Sequence, residues 1–271
     1  MTRILTAVIG IPVLVYIIQF APPSICVSVI LIAMLLTLHE YFVLVKEQVP
    51  PYFRWSGFLF ASLIVLSFLL QSVVVELPFF VFPAGSILML TLALFSGAGL
   101  RQSLEACVYT LFGALYVGGL MGTMAGIRMI DWGGETGADL LMMLFCIIWA
   151  GDTFAYFCGR LMGRHKLAPV VSPNKTVEGA VAGFVFSVLA GIGCRFGFVQ
   201  QITVMDSAIL GAVVGVMGQI GDLCESVIKR AAQVKDSGAI LPGHGGMLDR
   251  VDSLLFGAPA MYYYFYLVLQ I

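Results

Sequence analysis

The residues best suited to chemistry lie in the second half of the sequence, at the ends of apolar stretches. The densest segment is 241–252, LPGHGGMLDRVD, where three glycines flank His244. Such a backbone can turn its N–H groups toward an anion. Asp249 and Asp252 follow on one helical face, with Arg250 beside them. Carboxylate oxygens with room for phosphate suit Mg²⁺. The segment predicts a magnesium- and phosphate-binding loop, with a solvated charged loop as the alternative.

Further acidic residues lie within apolar stretches, Asp152 in IIWAGDTFAYF and Asp222 and Glu225 in GQIGDLCESVIKR. An ionisable group inside a membrane span is costly and is by default a functional candidate. Two glycines just before Asp222 leave space for a ligand or another backbone. Its helical face also carries Ser226 and Lys229. The alternative is structural, because Glu225 and Lys229 have the spacing of an ion pair.

Basic residues concentrate in two loops, 160–176 and 227–251. The cations of the second loop are predicted to contact phosphate oxygens; they are Lys229, Arg230, Lys235 and Arg250. In the first loop, Ser172, Lys175 and Thr176 form a phosphate-contacting cap at a predicted helix start. Nonspecific attraction to anionic lipid is the alternative there. His39 and Glu40, at the end of a span, are expected to form a capping pair, and neither is given a role in the site.

The elements that position these residues must be membrane helices. Of 271 residues, 60% are hydrophobic and 11% charged, with a mean hydropathy of +1.01. These values exclude a water-soluble enzyme, a disordered protein and a disulfide scaffold, and nothing is basic enough for nucleic-acid binding. The six cysteines are read as packing residues.

Apolar runs predict an all-α polytopic protein of about nine spans. The predicted spans lie near 4–20, 24–45, 56–75, 78–96, 103–124, 139–159, 177–198, 205–226 and 252–270.

The charge distribution predicts an orientation. All but Arg128 and Arg195 of the 14 lysines and arginines fall in alternate loops, which the positive-inside rule places in the cytosol. The N-terminus is then inside, the C-terminus outside, and the active-site loops lie on the cytosolic face. We expect one membrane domain over 1–271, with helices lacking a chemical motif over 1–137 and a catalytic half over 138–271. The first span is expected to be retained rather than cleaved.

The second half resembles the phosphatidate cytidylyltransferase (CDP-diacylglycerol synthase) family. The motifs that carry the resemblance are Ser226-x-x-Lys229-Arg230, Lys235-Asp236-x-Gly238, Leu241-Pro242-x-His244-Gly245-Gly246, Asp249-Arg250-x-Asp252, Asp152-x-x-Ala155-Tyr156 and Ser172-Pro173-x-Lys175-Thr176. The resemblance implies a homodimeric enzyme of the bacterial cytoplasmic (inner) membrane. Its substrates would be CTP and phosphatidic acid, and its products CDP-diacylglycerol and pyrophosphate. It also implies Mg²⁺, with K⁺ as a second cation.

The resemblance also assigns roles to residues. Asp222 and Asp249 are the implied metal ligands. The implied catalytic set is Asp222, Asp249, Lys229, Arg230, Lys235, Asp236, His244 and Arg250. The implied substrate-binding set is Asp152, Tyr156, Ser172, Lys175, Thr176, Ser226, Gly245, Gly246 and Asp252.

Two other function classes fit parts of the pattern. A transporter or channel could use the intramembrane acids as an ion path. An intramembrane aspartyl protease is suggested by Asp152 and Asp222, each of which follows a glycine. Neither explains the basic loops. The sequence has no G-x-x-x-x-G-K-[ST], G-x-S-x-G or H-E-x-x-H motif, which removes P-loop nucleotide binding and two hydrolase classes.

Overall fold

A computed structural model describes residues 2–70, 77–132, 135–238, 240 and 245–270, without the side chains of 2–7 and 135. Within these ranges the α-helical segments are α1 Thr2–Phe20, α2 Pro23–Leu44, α3 Pro51–Leu69, α4 Leu77–Leu94, α5 Leu100–Gly113, α6 Leu120–Arg128, α7 Gly137–Met162, α8 Val177–Gly197, α9 Val204–Ala231 and α10 Leu248–Tyr264. A π-helical segment, Ala114–Gly119, joins α5 to α6, and another, Phe265–Leu269, continues α10. The described chain thus forms nine continuous helices, as predicted.

Several helices are long and apolar enough to cross a bilayer. Seven in the described ranges meet this condition, namely α2, α3, α4, the continuous α5–α6 helix, α7, α8 and α9. The apolar stretch described in α1 covers only Val8–Phe20, and α10 has 17 residues. The prediction of a polytopic all-α membrane protein is confirmed.

Helix ends differ from the hydropathy pattern where polar residues continue the helix. The third helix begins at Pro51 rather than near residue 56, because proline is pre-organised for the first helical turn. Helix α9 runs on to Ala231, although its predicted apolar span ends near 226. Lys229 and Arg230 therefore lie on the last turn of α9, although the sequence suggested that they belong to a loop.

Two short hairpins accompany the helices. Asp131–Trp132 (β1) pairs with Glu135–Thr136 (β2), and Lys166–Ala168 (β3) pairs antiparallel with Ser172–Thr176 (β4). The second hairpin corrects the expectation that Ser172, Lys175 and Thr176 together open a helix, because all three lie on β4 and only Thr176, its last residue, reaches the helix start. Pairing satisfies backbone groups of the chain between α7 and α8. Thr176 alone caps α8, accepting a hydrogen bond from Gly179 N at 3.2 Å.

Helices α7, α8 and α9 approach each other closely through small residues. A Cβ added at Gly151 or Gly215 would collide with Ser187, and one at Gly211 would collide with the Ser187 backbone. Ser187 Oγ donates to the carbonyl oxygen of Ile147 at 3.1 Å. Small residues at membrane helix interfaces permit such approaches. The contact fixes the relative positions of α7 and α9, which carry Asp152 and Asp222.

Helix α10 packs against α9 at the two glycines before Asp222. A Cβ at Gly221 would lie 2.5 Å from the carbonyl oxygen of Asp252, and one at Gly218 would lie 2.6 Å from the Ile148 side chain. The predicted close approach of another backbone next to Asp222 is therefore confirmed. The neighbour is α10, which brings Asp252 toward Asp222.

Candidate functional site

A cavity of about 590 Å³ with several charged side chains on its wall lies between α7, α8, α9, α10 and the β3–β4 hairpin. Four carboxylates line it, from Asp152, Asp222, Asp249 and Asp252. Its other polar side chains are those of Tyr156, Arg160, Asn174, Lys175, Thr176, Gln219 and Ser253. Residues nearly a hundred positions apart in the sequence thus face one space, and acidic groups outnumber the two cations on its wall. An excess of carboxylates favours the binding of further positive charge.

Asp222 is held by a lysine from the hairpin. Lys175 Nζ lies 2.6 Å from Asp222 Oδ2, and both side chains are about one-third exposed or less. Gln219, one turn before Asp222 on α9, donates to the carbonyl oxygen of Ala180 at 3.1 Å. Because Lys175 directly precedes the cap of α8, the strand-to-helix junction determines where this cation meets α9.

Lys229 connects Asp249, on the cavity wall, to Glu225, which lies behind it. Its Nζ lies 2.6 Å from Glu225 Oε2 and 2.5 Å from Asp249 Oδ1. Glu225 is fully buried, and the Lys229 side chain is 12% exposed. The ion pair predicted from the spacing of Glu225 and Lys229 is confirmed. A lysine shared by two buried acids fixes the last turn of α9 against the first turn of α10, since separating them would leave buried charges uncompensated.

The second oxygen of Asp249 is engaged by the segment that precedes α10. Asp249 Oδ2 accepts hydrogen bonds from Ser237 N at 3.1 Å, Ser237 Oγ at 3.0 Å and Gly246 N at 3.0 Å. The Gly246 amide, which the sequence suggested could face a phosphate, is therefore directed at a carboxylate of the protein. Both oxygens of Asp249 have protein partners.

Glu40, from α2, contacts the same segment. Its carboxylate accepts hydrogen bonds from Met247 N at 2.9 Å, Leu248 N at 2.8 Å and Ser237 Oγ at 2.9 Å. Glu40 was expected only to form a capping pair with His39, whereas its carboxylate caps the N-terminus of α10, where free N–H groups favour negative charge. The criterion that singled out Asp152, an acid inside an apolar span, applied equally to Glu40 and could have found it.

Arginines link the loops at this end of the bundle. Arg230 donates to the carbonyl oxygens of Val171 at 3.3 Å and Val234 at 2.9 Å, so it joins the β3–β4 turn to the segment after α9. Arg160 Nη1 donates to Tyr156 Oη at 3.0 Å at the cavity.

The predicted site residues fall into three groups. Those that line the cavity are Asp152, Tyr156, Lys175, Thr176, Asp222, Asp249 and Asp252. Those described but not on its wall are Ser172, Ser226, Lys229, Arg230, Lys235, Asp236, Gly245, Gly246 and Arg250. His244 lies outside the described residues. Gln219, Asn174 and Ser237 were not predicted, because each is a single polar residue with no spacing pattern of its own.

The donor set suits a metal that keeps much of its own solvation. Among the residues that the structure describes, no three His, Cys, Asp or Glu side chains are grouped to hold a metal ion. Mg²⁺ commonly takes only one or two carboxylates and completes its shell with water and substrate phosphates. The carboxylates of the cavity offer oxygen ligands of that kind.

These features define an integral membrane protein whose C-terminal helices enclose a charged cavity beside a glycine-rich helix start. The sequence profile of the cytidylyltransferase family matches residues 1–268, and the chain belongs to that family. The match gives no support to the transporter and aspartyl protease alternatives.

Curated relatives match about half of the chain. The chain is 45% identical over 125 residues to a phosphatidate cytidylyltransferase of Staphylococcus haemolyticus, covering 46% of this chain and 48% of the relative. It is 43% identical over 153 residues to that of Bacillus subtilis, covering 55% of each. It is 43% identical over 136 residues to that of Synechocystis, covering 50% of this chain and 46% of the relative. The chain thus spans about half the length of the curated relatives that it matches.

Proposed function

We propose that the protein transfers the CMP moiety of CTP to phosphatidic acid, giving CDP-diacylglycerol and pyrophosphate for phospholipid synthesis. The observation that carries the proposal is the convergence of Asp152, Asp222, Asp249 and Asp252 with Lys175 in one cavity between membrane helices. Membership of the cytidylyltransferase family and the names of the relatives support the same reaction.

The reaction needs positioning more than a strong base. The phosphate of phosphatidic acid is largely ionised near pH 7, since its second ionisation lies near 6. One of its oxygens attacks the α-phosphorus of CTP; that P–O bond forms as the bond to the β-phosphate oxygen breaks, and pyrophosphate leaves. The difficulty is to bring anions together and to stabilise the leaving group. Lys175 and Arg160, on the cavity wall, are the cations placed to contact those phosphates.

We also propose that the site takes Mg²⁺, with K⁺ as a second cation. Asp222 and Asp249 would hold the divalent ion, with Asp152 and Asp252 contributing further negative charge nearby. When bound, such an ion neutralises charge on phosphate oxygens. Lys229 would orient Asp249, and Lys175 would orient Asp222.

An apolar groove next to the cavity supports a lipid substrate. It has a volume of about 340 Å³ and lies between α8 and α9, lined by Val181, Phe184, Val216, Ile220 and Leu223 among others. Leu167, Ala180 and Gln219 line both the groove and the cavity. An acyl chain in the groove would leave the lipid phosphate beside the carboxylates.

The location follows from the proposed reaction and the charge pattern. We propose a bacterial cytoplasmic membrane, with the N-terminus inside, the C-terminus outside and the cavity open to cytosolic CTP. We further propose a homodimer, which light scattering of the purified protein would test.

The decisive assay uses purified protein in lipid nanodiscs with radiolabelled CTP. We expect pyrophosphate and labelled CDP-diacylglycerol only when CTP, phosphatidic acid and Mg²⁺ are all present. Undiminished turnover in excess EDTA would overturn the metal role. Absence of labelled lipid with every component present, in protein shown to be folded, would overturn the proposed function.

A further inference from the structure

Glu40 brings a carboxylate from α2 to the start of α10. Its side chain is 2% exposed, and its two oxygens receive the Met247 and Leu248 amides and the Ser237 hydroxyl. These amides belong to the first turn of α10, and a helix start has no backbone acceptors of its own to give them. Glu40 therefore sets the position of that turn from a distant part of the chain.

Ser237 passes this constraint on to Asp249. Its hydroxyl oxygen lies 2.9 Å from Glu40 Oε2 and 3.0 Å from Asp249 Oδ2. Since a hydroxyl has one proton, it bridges the two carboxylates by donating to either. The Ser237 backbone N–H donates to Asp249 as well, at 3.1 Å. A continuous series of contacts thus runs from Glu40 through Ser237 and Asp249 to Lys229.

Two glycines leave the space that Glu40 occupies. A Cβ at Gly238 would lie 2.6 Å from Glu40 Oε1, and a Cβ at Gly246 would collide with Glu40 Oε2 and Ser237 Oγ. Both glycines belong to the motif that ends at Asp252. Their positions are explained by the approach of a carboxylate from α2, so the segment before α10 is shaped around Glu40.

We propose that Glu40 is a positioning residue for the reaction: it fixes Ser237 and the first turn of α10, and so holds Asp249 in the orientation that faces Lys229 and the cavity. The inference rests on the proposed function for its effect on turnover. Glu40 itself lies outside the cavity wall and acts through Asp249. The N-terminal helices would thus contribute to the site in the C-terminal half indirectly, through the position of Asp249.

The first test is Glu40→Gln, assayed per folded protein. The amide of glutamine keeps the shape but replaces one acceptor oxygen with a donor, which would face N–H groups. We expect kcat to fall about 10–100-fold, the usual effect of losing a partner that orients a site carboxylate, with the KM for CTP within about twofold of wild type. Glu47→Gln is the matched control, since Glu47 is an exposed acid near the end of the same helix. Wild-type kcat in folded Glu40→Gln protein overturns the proposal.

A second variant separates positioning from helix stability. Ser237→Ala removes the bridging hydroxyl while keeping the Glu40 contacts to the amides. We expect it to lower kcat, and the double variant Glu40→Gln/Ser237→Ala to lose no more than about twice the worse single loss, because the two residues act through one contact series. If the losses in kcat of the two single variants multiply in the double variant, the two residues act independently, and the proposed contact series is contradicted. If Glu40→Gln does not fold, Ser237→Ala decides alone, and wild-type turnover in it overturns the proposal.

Hydrogen exchange of the protein in nanodiscs tests the contact without using activity. We expect Glu40→Gln to speed exchange in peptides covering 245–252 and to leave peptides from α7 unchanged. Unchanged exchange at 245–252 overturns the proposed positioning. If wild-type protein forms no CDP-diacylglycerol, the proposed function fails, while the exchange result still decides whether Glu40 holds α10.

Discussion

Among the individual residues, Lys229 is a cation that pairs with two acidic side chains at once. It lies between the fully buried Glu225 and the nearly buried Asp249. Coulomb attraction to this single ammonium compensates part of the cost of desolvating both acids. Its role is thus structural as well as electrostatic, which separates it from the exposed cations of the same motif, Lys235 and Arg230.

Replacing Lys229 with methionine should destabilise the protein strongly. Two buried carboxylates would lose their common partner, and breaking a buried ion pair in this way costs about 3–5 kcal/mol. Thermal unfolding in detergent would measure the loss, with Lys46→Met, at an exposed lysine, as the control. Adding Glu225→Gln to the variant should recover part of the stability, since it removes one of the unpaired charges. A Lys229→Met protein as stable as wild type would mean that water reaches the two acids.

Asp222 offers a test of the cavity itself. Asp222→Asn keeps the shape of the side chain but removes the charge that pairs with Lys175 and that would hold a divalent ion. We expect kcat to fall at least ~10²-fold, the usual effect of losing one preorganised electrostatic contact. Asp206→Asn, at the opposite end of α9, is the control. Steady-state kinetics at several Mg²⁺ concentrations would measure the effect, and near-normal turnover in Asp222→Asn would remove this residue from the site.

At the scale of the element, the site depends on how closely α10 lies against α9. Gly221→Ala would place a methyl group 2.5 Å from the carbonyl oxygen of Asp252. The helices would have to separate, at a cost of about 1–3 kcal/mol, and Asp252 would move away from Asp222. We expect lower turnover in a protein that still inserts and folds.

The matched control for this variant is Gly193→Ala, on α8, where no atom lies within 4 Å of the added methyl group. Turnover and thermal stability of the two variants would be compared in the same detergent. Equal behaviour of the two alanines would show that the α9–α10 distance is not important for the site.

The helices were largely predictable, since a run of apolar residues long enough to cross the bilayer can form few structures other than a helix. All nine helices occur where the hydropathy pattern predicts them. Hydropathy does not show where a helix continues beyond its apolar residues, as α9 does at Lys229. The β3–β4 hairpin was missed as well, because a three-residue strand beside Ser172–Thr176 leaves almost no periodicity to detect.

At the scale of the whole molecule, the site is assembled from both halves of the chain. The motifs of the second half named all four carboxylates of the cavity, because their residue types and spacing are distinctive, but they also named Asp236, which does not line it. They could not predict the contact of Glu40 with Leu248, which are 208 positions apart. No periodicity relates such residues; only the packing of α2 and α10 brings them together. The partners of Asp249 were missed for the same reason, since its spacing suggested a metal ligand and gave no sign of Ser237.

The orientation in the membrane decides which solvent the cavity meets, and two exposed residues at opposite ends of the bundle can test it. Val170, in the β3–β4 turn near the cavity, is 90% exposed, and Met205, at the start of α9, is 70% exposed. The positive-inside rule places the turn in the cytosol and the start of α9 outside. In spheroplasts, a membrane-impermeant maleimide should label Met205→Cys, and Val170→Cys only after permeabilisation. Unmutated protein, whose own cysteines are buried or partly buried, provides the background. The reverse labelling pattern would place the cavity on the side without CTP and contradict the proposed reaction.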